Sequence, residues 1–236
     1  MVALLLACML LASVPPANPS AAPSARLDAA LAREASGDDA GALADLEALA
    51  LAQPTWALPR LEAARLRLKL GQDTPRLGAD LDVAEALAPT NPRVHYLRGL
   101  LWEERGQARA AVQAYERALS YRAAYDEPRL RLGALYAAQG DWLHAELHYR
   151  TLAHAHPQAV PVRVELARVL EAQGRVSDAE RELEALRAAQ PTQPLVLRRL
   201  AELYERTGRP QLAAPLRAQL ERPAGPPKRA LQPSRR

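Results

Sequence analysis

Four histidines cluster in one stretch of this chain: His144, His148, His154 and His156. The first two are four residues apart, and on a helix that spacing places both imidazoles on one side, where they could share a metal ion. A closed site needs further ligands, and no cysteine or acidic side chain has an evident third position. Metal handling by this cluster is therefore the alternative reading, and solvated histidines on an outward helix face are the main one. The acidic pair Glu103–Glu104 and the charged run at 171–187 read as water-facing helix surfaces with i,i+4 pairing. Trp142 reads as packing beside a turn. The folded part holds no glycine-rich phosphate loop, no Gly-x-Ser-x-Gly turn and no thiol, so neither an enzyme nor a cofactor site is expected.

The single cysteine, Cys8, lies in an uncharged apolar run, Met1 to Val14, followed by a Pro/Ala/Ser-rich stretch. The run is shorter than the roughly 20 residues a membrane-spanning helix needs. It suits the core of a signal peptide, with the small residues after it as a cleavage region. The segment Leu5-Leu6-Ala7-Cys8 also resembles the lipobox of bacterial lipoproteins, which makes Cys8 the lipidation position. An export leader over residues 1–22 places the rest in the cell envelope, periplasmic or secreted. An acylated Cys8 makes it an outer-membrane lipoprotein, and only then a membrane partner. A cytoplasmic protein with a misassigned start is the other alternative.

Composition narrows the fold. Ala and Leu dominate a chain with 49% hydrophobic residues, no Phe and no Ile. Strands favour β-branched and aromatic residues, so the chain reads as all-α. The net charge is +4. Residues 221–236 alone carry that value, with Arg222, Lys228, Arg229, Arg235 and Arg236 against Glu221, so everything before them is neutral overall. Basicity confined to a Pro-rich tail does not make a nucleic-acid-binding domain. Residues 222–236 read as a disordered tail.

The elements that must position any site are set by a repeat. Glycines recur at 37, 71, 106, 140, 174 and 208, a period of 34 or 35 residues. With each glycine at position 15 of a unit, position 8 is always small: Ala30, Ala64, Gly99, Gly133, Ala167 and Ala201. Position 20 is alanine in five units, and position 24 is large in four, as Leu46, Tyr115, Tyr149 and Leu183. Prolines close the units at 54, 89, 157 and 191. The period predicts two antiparallel helices per unit, the first ending at the glycine and the second before the proline. Small residues at positions 8 and 20 mark where the two helices cross, and Tyr149 fills space toward the next unit. Arg67 stands where a large apolar residue is expected, and Pro215 falls inside the last helix and should kink it.

This register resembles the tetratricopeptide repeat (TPR) family, best in the fourth unit, through Leu132, Gly133, Tyr136, Gly140, Ala145, Tyr149 and Pro157. The resemblance implies a right-handed α-solenoid of about six units, at 23–56, 57–91, 92–125, 126–159, 160–193 and 194–221. It implies a protein or peptide partner, no small-molecule substrate, and a binding groove lined by first helices. Carried over onto this chain, the groove positions are Arg65, Lys69, Tyr96, Leu100, Glu103, Leu130, Ala134, Val164, Arg168 and Glu171. The Lys/Asn carboxylate clamp of chaperone-binding relatives is absent, since Leu61 and Arg65, Tyr96 and Leu100, and Leu130 and Ala134 occupy its positions. An exported chain of this kind is similar to the TPR pilotins that assist secretins of type IV pili, which implies an adaptor that supports assembly of a cell-envelope complex.

The leader reading is checked by intact mass of the protein from its native host. The expected mature chain lacks residues 1 to about 20, with acyl mass on Cys8 if the lipobox is used. A protein that still begins at Met1 and fractionates with the cytoplasm contradicts export.

Overall fold

The computed structural model describes residues 22–72 and 75–221, which form twelve α-helices and no strand. The leader, Cys8 and the basic tail lie outside the described residues. The helices are α1 (Pro23–Ala35), α2 (Asp39–Ala52), α3 (Ala57–Lys69), α4 (Pro75–Leu87), α5 (Pro92–Glu104), α6 (Ala108–Tyr121), α7 (Asp126–Ala138), α8 (Trp142–Ala155), α9 (Val160–Ala172), α10 (Val176–Ala189), α11 (Pro194–Arg206) and α12 (Pro210–Glu221). They group into two compact units, one ending at Pro128 and the other beginning at Arg129.

Each odd-numbered helix stops for the same local reason. The six position-15 glycines have φ between 65° and 92°, the left-handed region that costs glycine nothing. In each case the following N–H donates back five residues, as from Asp141 to the Tyr136 carbonyl at 2.9 Å. This satisfies a carbonyl the helix end would otherwise leave open. Most of the next helices then begin within three residues, and so short a link forces the pair to run antiparallel. Asp38 and Asp141 cap two of these starts, accepting from the N–H groups of Gly41 (2.9 Å) and His144 (3.2 Å). Helix α12 includes Pro215, whose missing N–H removes one helical hydrogen bond.

Within a pair, the helices meet at one register. A β-carbon added at Gly133 would stand 3.0 Å from the ring of Tyr149, and one added at Gly99 would clash with the ring of Tyr115. Tyr149 thus packs onto the glycine of its own unit, as well as into the apolar core with Val160 and Val164. Units one and five use Ala30 with Leu46 and Ala167 with Leu183, all buried. Glycine goes with tyrosine and alanine with leucine, so the summed bulk at the crossing stays similar. Burial pushes the Tyr149 phenol up to about 12, because its ionised form would lose water without gaining a donor.

In the compact unit that ends at Pro128, called the first unit below, Leu27, Ala30, Leu43, Leu46 and Leu66 form one core cluster, and Leu61, Leu77, Leu81, Val94, Leu97 and Leu101 another. Beside them Arg67 occupies its apolar position with a side chain only 3% exposed. It is held by Glu47 and Asp80, so the charge is buried with two counter-ions instead of being excluded. The second unit has a single cluster running from Ala137 to Leu216.

The Gly/Tyr register is tested by substitution. Alanine gains about 1 kcal/mol of helix propensity over glycine, whereas overpacking typically costs about 1–3 kcal/mol. Gly99→Ala is expected to destabilise, because the Tyr115 ring is fully enclosed, and Gly133→Ala to be near neutral. Gly99→Ala with Tyr115→Leu should recover much of the loss in urea melts. Equal stability of Gly99→Ala and the parent, or simple additivity in the double variant, contradicts this packing.

Candidate functional site

The odd-numbered helices present the residues expected to meet a partner, and the two units treat them differently. In the first unit the charged ones are already engaged. Arg65 donates through Nη1 and Nη2 to Glu34 and through Nε to Glu62 at 2.8 Å. Lys69 reaches Asp39 (2.8 Å) and Glu34 (3.3 Å), and Arg93 reaches Glu62 (2.6 Å). This ladder ties α1, α3 and α5 together. The hydrogen bond from Arg65 holds the Glu34 carboxyl below the usual carboxylate range, with Lys69 adding to it and burial opposing.

Tyr96 is half-buried between two aromatic neighbours, 5.9 Å from Tyr115 and 5.4 Å from Tyr125 by ring centroids. Leu100 beside it is part-buried against the core. Glu103 accepts from the Tyr115 phenol, so its carboxylate anchors the ring that lies on Gly99.

In the second unit, Leu130 (43% exposed) and Ala134 lie open on α7. Val164 does not join them: it is buried in the core cluster with Val160 and Tyr149, because α9 turns that position inward. Arg168 bonds Glu165 through Nε at 2.8 Å. Glu171 accepts from Arg199 and Arg206, both at 2.8 Å. Arg168, Glu171, Ala172, Arg199 and Arg206 line an open cavity of about 370 Å³. Arg199 and Arg206 had no signal in sequence, because their link to Glu171 spans 28 and 35 residues.

Two of the four clustered histidines share one aromatic neighbour, Tyr136. His144 is exposed, its Nδ1 2.7 Å from Asp141, and its ring stacks on Tyr136 at 4.9 Å. His148 is buried, not solvated as its register suggested, because Tyr136 reaches across from α7 and lies parallel to it at 5.6 Å. His154 lines a cavity of about 530 Å³ with Arg150, Arg163 and Glu182, where Arg163 is taken up by Glu182 at 2.8 Å. Among the described residues no three His, Cys, Asp or Glu side chains assemble as a metal site. No described helix is long and apolar enough to cross a membrane.

Helix pairs closed by left-handed glycines, with small residues at their crossings, define an all-α repeat protein of the solenoid class. Residues 137–203 match the tetratricopeptide repeat family. Solved TPR structures share the fold. A tetratricopeptide repeat protein from Parabacteroides merdae aligns over 84% of this chain and 78% of its own, at 17% identity and a TM-score of 0.68. PilW, a widely conserved type IV pilus biogenesis factor, aligns over 84% and 92%, at 21% identity and a TM-score of 0.70. PilF of Pseudomonas aeruginosa aligns over 84% and 90%, at 16% identity and a TM-score of 0.70. No curated protein matches the chain in sequence.

The ladder of the first unit makes a pH prediction. A depressed folded-state pKa means Glu34 stabilises the fold above its unfolded value near about 4.3, and that share is lost as pH falls through the folded value. Glu34→Gln should therefore melt below the parent at pH 7, with a smaller gap at about pH 3. A gap of equal size at both pH values shows that Glu34 acts through packing instead of charge.

Proposed function

We propose that this chain is an exported adaptor that binds a segment of a protein partner on its first-helix face and supports assembly of a cell-envelope complex. The observation that carries this is the open apolar surface of α7, where Leu130 and Ala134 are exposed, together with a charged, open cavity on the same unit. Such a surface suits a peptide or helix, whose side chains alternate between apolar and polar contacts. The fold itself is one that serves protein–protein interaction. The likeness to PilW, a pilus biogenesis factor, favours an envelope task, and the leader-like residues 1–22 favour export. Both supports are analogies of fold and sequence type, so the partner is sought by experiment.

A photo-crosslinking amino acid placed at Leu130 in the native host should give a discrete adduct with one envelope protein. The control position is Leu143, 75% exposed on α8. Adducts from position 143 with none from 130 would move the binding surface to the second helices and end this assignment.

A further inference from the structure

We infer that the cavity lined by Arg168, Glu171, Ala172, Arg199 and Arg206 is the acidic subsite of the partner-binding face, and that it receives Asp or Glu side chains of the bound protein segment. This rests on the peptide-binding reading and names the chemistry of its partner.

The argument is one of unused donors. A guanidinium offers five N–H groups in a fixed fork, matched to a carboxylate. Arg65 in the first unit has all three nitrogens bonded to Glu34 and Glu62, so a ligand gains nothing there without breaking existing pairs. Arg168 uses only Nε, on Glu165, and both terminal nitrogens have no partner among the described residues. Arg206 uses Nη2 on Glu171 and Nε on the Glu202 carbonyl at 3.4 Å, leaving Nη1 without one. Their side chains are 43% and 52% exposed. Arg199 is the inner member, 14% exposed and fixed between Glu171 and Glu202.

The lining thus carries three positive charges and one negative. Glu165 and Glu202 stand at the margin, each on one arginine and each about 40% exposed. One carboxylate shared by Arg199 and Arg206 cannot saturate both. A second carboxylate, brought by a ligand, would pair with Arg168 and Arg206 at little cost in lost internal bonds. Leu130 and Ala134, exposed on α7 of the same unit, offer apolar contact to the same segment. A segment mixing acidic and large apolar side chains fits this surface. A basic segment would leave the open N–H groups of Arg168 and Arg206 unused.

The test selects ligands for the full-length protein from a random peptide library displayed with no free C-terminus, so that only side-chain carboxylates can be chosen. Enriched peptides are then synthesised with amidated ends and titrated by calorimetry. Acidic, apolar-containing sequences are expected. Arg206→Glu should weaken them about tenfold, as reversal of a contacting charge does, and Glu171→Gln, which frees two guanidinia, should tighten them. Circular dichroism melts confirm that both variants fold. Enriched peptides without Asp or Glu, or acidic peptides indifferent to both substitutions, overturn the acidic subsite while leaving peptide binding intact. Failure to enrich any peptide on the parent overturns the peptide-binding reading itself, and the subsite with it.

Discussion

The distance between the two helices of a repeat is set by what fills position 8 and position 24. In units three and four a glycine lies under a tyrosine ring, and in units one and five an alanine faces a leucine. A glycine inside a helix is a local fault, worth roughly 1 kcal/mol, and it persists because the buried ring gives back more in contact area. Once the crossing is fixed, every other position follows. Position 15 must turn left-handed to bring the second helix back, and the surface residues of the first helix are left facing away from their partner. The surface proposed to meet a partner is a by-product of that crossing.

Charge then decides what each surface can do. In the first unit Arg65, Lys69 and Arg93 are bound to Glu34, Asp39 and Glu62, and the network holds α1, α3 and α5 in register. Arg67 goes further, replacing an apolar core residue with a cation enclosed by Glu47 and Asp80. Such a group is neutral at best against a hydrophobic residue of its size, yet removing one partner costs about 3–5 kcal/mol. These charges build the fold. In the second unit arginines outnumber the carboxylates within the cavity, and the same residue type is left with donors to offer.

What could be read from sequence was what repeats. The glycine period, the small residues at position 8, the terminal prolines and the all-α class all depend on local conformation and on bulk, which a residue name states directly. The side of a helix on which a particular residue ends up was less legible. Val164 carries a surface register number and lies in the core, and His148 carries an outward one and lies under Tyr136. Both follow from what the neighbouring elements place against them, Val160 and Tyr149 for Val164 and Tyr136 for His148, which no single residue encodes. Ion pairs were less legible still. Arg199 and Arg206 converge on Glu171 across whole repeats, and nothing in their own surroundings marks them. Tyr149 illustrates the intermediate case, since its size was evident and its resting place against Gly133 was not.

The scarcity of lysine gives the first unit a built-in reporter. Lys69 is the only lysine between residues 22 and 221, and it is tied to Asp39 and Glu34 at the foot of the ladder. Its hydrogen bond to Asp39 raises its pKa, so fewer molecules carry the free amine at any given pH. Amine-directed reagents would therefore label the folded part at one position, at a rate set by whether the ladder is closed. Loosening of α1 from α3 becomes visible as faster acylation at a single site, with no engineered probe.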